Sequence, residues 1–394
     1  MLADIFRFAA DDPFRPTPEE ERRIERYRRL WLYYAPPGGD PYGTAEGGPS
    51  LAALKDLPDY TASFFNYVPY VVDADLFLLL GEFGEESVSA PAAGKEGVQA
   101  LRRAGFVGAV HKAFESALVC GDAWVKVLPG EEGGVRLVTL DPAAVHPRLD
   151  PHDHTRVLSV LIHYRYRDAK GRLHERSELW EGGRVTVKDD GKPVPAESGE
   201  HPFGRPPLVH FACRPLPGSY FGRPAFEEIL ADMDRLNAAA GAVLEVFRYY
   251  GSPKLVLKGV VAPQCELDPD VRQFWQLPSG DAELSFLEWR NASGLVDEVL
   301  KLDEVVRRKL PEFVLEAIAQ RTYPASGYAV SLQLSLLEAK IRSLAAGFSA
   351  ALDELAALAL AAAGLDPEGA KVELVPMPAA TFTGNVRQAG RRKR

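Results

Sequence analysis

Between Gly222 and Val261 the chain places Ala225, Phe226, Ile229, Leu230, Met233, Leu236, Ala240, Val243, Leu244 and Phe247 at the three-and-four spacing of one helical face. Asp232, Asp234, Arg235, Glu245 and Arg248 fall mostly off it. The spacing predicts a helix from Pro224 to Tyr250, about 40 Å long at ~1.5 Å per residue. It stops at Gly251-Ser252-Pro253 and runs straight into a strand. A rod of that length spans something or packs against copies of itself.

Two further helices follow. Leu295, Val299, Leu302 and Val306 form the apolar stripe of one, with Asp297/Lys301 and Glu304/Arg308 as helix-spaced ion pairs elsewhere on it. Pro311 should divide it from what comes next. The other runs from Leu332 to Ala363 and ends at Gly364 and Pro367. Between the first two lies a β-like insert, Lys254 to about Trp289, turning at 278–281.

The first half reads differently. Pro18 to Leu32 is a surface helix with an acidic start, and Gly108 to Leu118 is a second helix. Then the period shortens: Ala123–Leu128, Val135–Leu140, Val157–Tyr166, His174–Trp180 and Arg184–Val187 are short β-like runs between Gly, Pro and Asp turns, the pattern of a meander. The fold class predicted is α+β.

Composition changes this picture little. At 394 residues, 46% hydrophobic and 26% charged, the chain is globular and large enough for two or three domains. A net charge of -9 argues against a protein built to grip nucleic acid on a broad basic face, though not against a surface along which DNA slides. Cys120, Cys213 and Cys265 give no CxxC pair and no even framework. The N-terminal stretch is too acidic for a signal peptide, and Leu76–Leu80 and the alanine-rich run at 355–365 are too short or interrupted to cross a bilayer, so no membrane association is expected. No Walker loop, GxGxxG or GxSxG is present, so no cofactor is expected and ATP hydrolysis must come from elsewhere.

The order of helix, β insert, helix, Pro/Gly loop and long helix resembles the portal proteins of tailed bacteriophages, specifically the SPP1 type. The residues that carry the resemblance are GDAWVKV at 121–127 with LDPAAVHP at 140–147, GRPAFEEILADMDRLN at 222–237, GSPKLVLKG at 251–259 and SGYAVSLQLSLLEAKI at 326–341. Each is degenerate alone; their order and spacing are the signal. The resemblance implies a wing (1–221), a first stem helix (222–250), a β-containing clip (251–293), a second stem helix with a kinked continuation (294–319), a tunnel loop (320–330), and a long helix running to a short crown and basic tail (331–394).

It also implies a non-enzymatic ring of about twelve copies at one capsid vertex. Double-stranded DNA would pass through that ring. The implied partners are the terminase large subunit, the major capsid or scaffold protein and a head-tail adaptor. The implied location is the virion, after assembly in the host cytoplasm. Carried over by segment, Arg321, Tyr323, Ser326, Tyr328 and Val330 are tunnel-loop candidates, Lys301 and Arg308 stem-lumen candidates, and Gln264, Glu266, Asp268 and Asp281 clip residues facing terminase or adaptor. No metal ligand or catalytic residue is implied.

Two other readings stand beside it. His146, His152, His154 and His163 with Asp150 and Asp153 are the densest metal-like cluster and would suit a metal-dependent α+β hydrolase, but they lack the HExxH register and sit among turn residues, where solvated histidines are the default. A different ring-forming scaffold could use the same long helices. The basic end, Gly390 to Arg394, is either a DNA or capsid contact or a solubilising tail.

Overall fold

The computed structural model describes residues 13–34, 65–130, 134–250, 254–258, 283–287, 292–319 and 327–377. In chain order the helices are α1 (Pro18–Tyr34), α2 (Val68–Leu80), α3 (Gly94–Arg103), α4 (Phe106–Cys120), α5 (Leu230–Tyr250), α6 (Ala292–Lys309), α7 (Phe313–Ala319) and α8 (Gly327–Ala362). The strands are β1 (Val88–Ser89), β2 (Asp122–Pro129), β3 (Val135–Leu140), β4 (Val145–Leu149), β5 (Val157–Arg167), β6 (Leu173–Glu181), β7 (Arg184–Asp189), β8 (Lys192–Pro193), β9 (Gly199–Glu200), β10 (Leu208–Ala212), β11 (Lys254–Lys258), β12 (Glu283–Leu287) and β13 (Lys371–Val372). The α+β class holds.

Helix ends follow local chemistry. A reciprocal cap opens α1: the Glu20 amide donates to Thr17 Oγ1 at 3.3 Å and the Thr17 amide to Glu20 Oε2 at 2.6 Å, with Pro18 in the first turn. Gly105 and Gly121, at φ +71° and +93°, bracket α4. Pro311 does separate α6 from α7. The predicted start at Pro224 is corrected: a 3-10 turn occupies Glu227–Ile229 and the α-helix begins at Leu230.

The chain divides into two compact units. The larger comprises Met1–Ala53, Tyr67–Glu228 and Leu310–Arg394. Its centre is the antiparallel sheet β10-β2-β3. Residues 122–127 of β2 are buried on both faces, which explains a strand without polar alternation. On one side Phe114 of α4 meets Phe348 of α8 at 4.4 Å between ring centroids and Phe211 of β10 at 6.0 Å. On the other, Trp124 joins Val160, Ile162, Trp180 and Val187 of the second sheet, the meander β4-β5-β6-β7-β8 with β9 on β7.

Lys126 is buried on that side, its Nζ 2.5 Å from Glu178 and 4.7 Å from the Trp180 ring centroid. Burial pushes the Glu178 carboxyl up, but Lys126 and then Arg176 overcome this and hold it below its ordinary range.

Leu334–Ala362 within α8 is, by length and composition, apolar enough to cross a membrane, contrary to the sequence expectation. Leu337, Ile341, Leu344, Phe348, Leu352 and Leu355 are buried in the core of the larger unit, so it serves there as a core helix.

The smaller unit, Leu54–Asn66 with Ile229–Lys309, is a hairpin of α5 and α6 whose connection carries the antiparallel pair β11–β12. Met233, Leu236 and Ala240 of α5 and Val299 and Val306 of α6 are buried, and Lys309 bonds Asp232 across the hairpin.

Candidate functional site

Two of the sequence motifs meet in the larger unit. Asp122, 1% exposed at the start of β2, accepts from Tyr27 Oη at 2.6 Å and from the Gly222 amide at 2.9 Å, and lies 2.8 Å from His210 Nε2. The Tyr27 phenol is raised well above its ordinary value, by burial and then by the Asp122 charge. Around this hub the backbones nearly touch. A Cβ on Gly222 would come 2.1 Å from the Gly121 carbonyl oxygen and 2.5 Å from that of Cys213, so only glycine fits. The Cys213 amide donates to Gly121 at 2.7 Å, Arg223 to Cys213 at 2.7 Å and Ala225 to Leu118 at 2.8 Å. The knot fixes the chain just before the long helix.

His210 is stacked between Trp124 and Tyr220, with centroids at 4.3 and 4.6 Å. A cleft of about 360 Å³ opens beside this stack, lined also by Arg205, Thr155 and Glu354. It offers aromatic faces and an ion pair. Cys120 and Cys213 are buried; burial raises both thiols, that of Cys213 to about 12, so neither is a nucleophile at neutral pH.

The histidine cluster is dispersed. His146 is fully buried on β4, with Nδ1 3.5 Å from Arg23 and Nε2 unpartnered; burial, then the Arg23 charge, push its pKa down to about 3. His163 pairs with Glu175 at 2.6 Å, while His152 and His154 are exposed on a turn ordered by Asp150 and Asp153. The grouping the sequence missed is His174, Asp189 and Asp190, whose ligand atoms alone among the described residues come close enough to hold an ion. Its imidazole is already occupied, with Nδ1 2.7 Å from Asp190 and Nε2 3.4 Å from Asp168, and those bonds, Asp190 first, raise its pKa. Strand register, invisible in sequence, brings these groups together.

In the smaller unit Lys301 and Arg308 are both exposed, at 73% and 74% of the side chain. Arg308 pairs with Glu304 at 2.5 Å as the spacing predicted. Lys301 instead lies 4.0 Å from Glu298, not Asp297. Leu295 is 36% exposed, Val296 37%, Val305 46% and Leu300 57%.

A sequence profile for "Phage portal protein, SPP1 Gp6-like" matches residues 66–383. The chain belongs to this portal family. Three solved chains that match this one come from gene transfer agent (GTA) particles. One, "Virion of native gene transfer agent (GTA) particle", is 13% identical over 94% of this chain and 94% of that one, with a TM-score of 0.47. A second, "Neck of empty GTA particle computed with C6 symmetry", is 15% identical over 82% and 85%, with a TM-score of 0.46. A third, "Neck of native GTA particle computed with C12 symmetry", is 13% identical over 84% of each chain, with a TM-score of 0.42. No curated protein matches.

Within this portal-family chain, the expected clip residues Gln264, Glu266, Asp268 and Asp281, and the loop residues Arg321, Tyr323 and Ser326, lie outside the described residues. Tyr328 and Val330 fall in the first turn of α8, so the helix starts earlier than the predicted Leu332.

Proposed function

We propose that the chain is the repeating subunit of a portal ring that passes double-stranded DNA into and out of a capsid. The observation that carries this reading is the four-sided character of α6. At about 100° per residue, Val299, Leu302 and Val306 mark the side turned to α5, and Asp297, Lys301, Glu304 and Arg308 form a ridge about 160° away. Val296 and Leu300 lie on one flank and Val305 on the other, each roughly 100° from the inner side. A helix needs apolar groups on both flanks when it stands in a closed ring between two copies of itself.

The ridge supports the same reading. Its charges alternate in sign and sum to zero, and its cations lie beside Glu298 and Glu304. A duplex sliding past unpaired cations would be held, because each neutralised phosphate adds counterion-release affinity; a ridge of paired charges centres the polyanion without gripping it. A subunit charge of -9 works in the same direction.

On this reading the larger unit is the wing with the long helix, α5 and α6 are the stem, β11–β12 belong to the clip, and the tunnel-loop segment expected at 320–330 ends in the first turn of α8. The clip would face the terminase large subunit during packaging and a head-tail adaptor afterwards, and the wing would face capsid or scaffold protein. The subunit is a conduit at the virion's portal vertex and performs no catalysis.

Cross-linking tests the arrangement. In a Cys265→Ser background, Leu300→Cys with Val305→Cys places one thiol on each flank. Oxidation should give a ladder closing at about twelve subunits. Single-cysteine variants should give none. Absence of the ladder in the double variant would refute the packing.

A further inference from the structure

Asp75 on α2, Glu312 between α6 and α7, and Lys340 on α8 meet inside the larger unit. Both carboxylates are 0% exposed and the Lys340 side chain 13%. Lys340 Nζ lies 2.7 Å from Asp75 Oδ2 and bonds Glu312 Oε1. Asp75 Oδ1 and Glu312 Oε2 are buried without a hydrogen-bond partner, and Asp75 Oδ2 has only the ion-pair contact with Lys340. One ammonium therefore faces two carboxylates, and full ionisation would leave a net negative charge sealed from water. A proton held between the carboxyls makes the group neutral and supplies the missing donor.

The contact closes a separation of 28 positions from Glu312 to Lys340. Beside it, Tyr70 Oη donates to the Glu312 carbonyl at 3.2 Å, and the Phe313 ring lies 5.0 Å from those of both Tyr67 and Tyr70. The head of α7 and the middle of α8 are thus tied to α2 at one point.

We propose that Asp75, Glu312 and Lys340 form a one-proton clasp that positions α7 and the first half of α8 on α2, tight while the proton is held and loosened when it is lost. Asp75 provides the proton: burial raises its carboxyl well above the ordinary range against the pull of Lys340, and Glu312 raises it further. Among the other groups facing the clasp, Arg214 is engaged by Glu228 at 2.6 Å, the Cys213 thiol is raised to about 12, and the Tyr70 phenol is raised by burial, then by Glu316 and Glu312. A group whose folded pKa is raised stabilises the protein below that pKa, and its contribution is lost as pH rises through it. The clasp is therefore strongest in mild acid. It rests on the portal reading only for what the tethered segment does.

Hydrogen exchange on the full chain, normalised for intrinsic rates and with assembly state followed in parallel, tests it. Peptides from 313–319 and 327–340 should lose at least about tenfold in protection between about pH 6.5 and about pH 9.5, while β5 and β6 hold theirs. Asp75→Asn, an isostere of the neutral acid, and Glu312→Gln, which leaves one balanced pair, should remain protected across the range. Unchanged protection in the wild type, a parallel loss in Asp75→Asn, or failure of Asp75→Asn to fold would overturn the clasp. If the clasp titrates in a monomer, the portal reading fails and the clasp stands.

Discussion

The two units differ in how far their polar and apolar groups are settled within one chain. In the larger unit even a lysine in the core has its carboxylate, Lys126 with Glu178, and an aspartate at the strand start collects Tyr27, His210 and the Gly222 amide. In the smaller unit α6 leaves Val296, Leu300 and Val305 in solvent along two flanks. The first finds most of its polar partners within one chain, with His146 Nε2, Asp75 Oδ1 and Glu312 Oε2 among the exceptions, and it too exposes apolar groups, among them Leu332 and Leu336 of α8. The second has the surface of an element awaiting neighbours, since apolar flanks running along a helix are what self-association covers.

The contrast can be broken most severely at Gly222. Gly222→Val should cost about 4 kcal/mol or more, because its side chain would drive into the backbone of Gly121 and Cys213; thermal melting should show a fall of several degrees at least, or no folded protein. Leu300→Asp should do the reverse, leaving the melting of the larger unit within about 0.5 kcal/mol while abolishing assembly, as light scattering would report. Lys126→Met leaves Glu178 with only Arg176 and the Trp180 indole N–H and should cost about 3 kcal/mol in denaturant unfolding.

His146 gives a smaller, pH-graded effect. Its folded pKa of about 3 lies below the ordinary 6.5, so the unfolded chain binds the proton first. Stability should be full above pH 6.5 and fall toward pH 3, by at most about 1.4 kcal/mol per unit. His146→Phe should flatten that slope in urea titrations. Least of all, Arg308→Ala should change subunit stability by under about 0.5 kcal/mol, since an exposed i,i+4 pair contributes little.

How much was legible follows the same division. The α5 and α6 stripes were readable because each helix buries one face, which writes a period into the sequence. In the meander β5, β6 and β7 were readable as β-like runs between turn residues, though only β7 alternates in burial, while β4, β8 and β9 were not. The α2 segment VPYVVDADLFLLL was not, because Val68, Val71, Val72, Leu78 and Leu79 are buried on several sides and no stripe remains; buried Asp75 was the only irregular note. The strand LVHFA of β10 is only five residues long and follows Pro206 and Pro207, too brief a run to mark a strand by its period.

The Asp122–Gly222 knot joins positions 100 apart through backbone proximity, which leaves only two glycines as its trace. The histidines misled for a related reason. His146 and His163 lie on paired strands but face Leu161 and Ser177 in register, so nearness in sequence did not become a shared site. Family membership was legible from motif order and is carried by the match over residues 66–383.

The central claim is that the apolar flanks of α6 are covered by copies of the same chain in a closed ring. Native mass spectrometry of the purified protein, with images of the same sample by electron microscopy, tests it most directly. The account predicts one dominant species of about twelve subunits with an axial hole. A monomer or dimer that stays in solution at micromolar concentration, with those flanks still exposed, would contradict it.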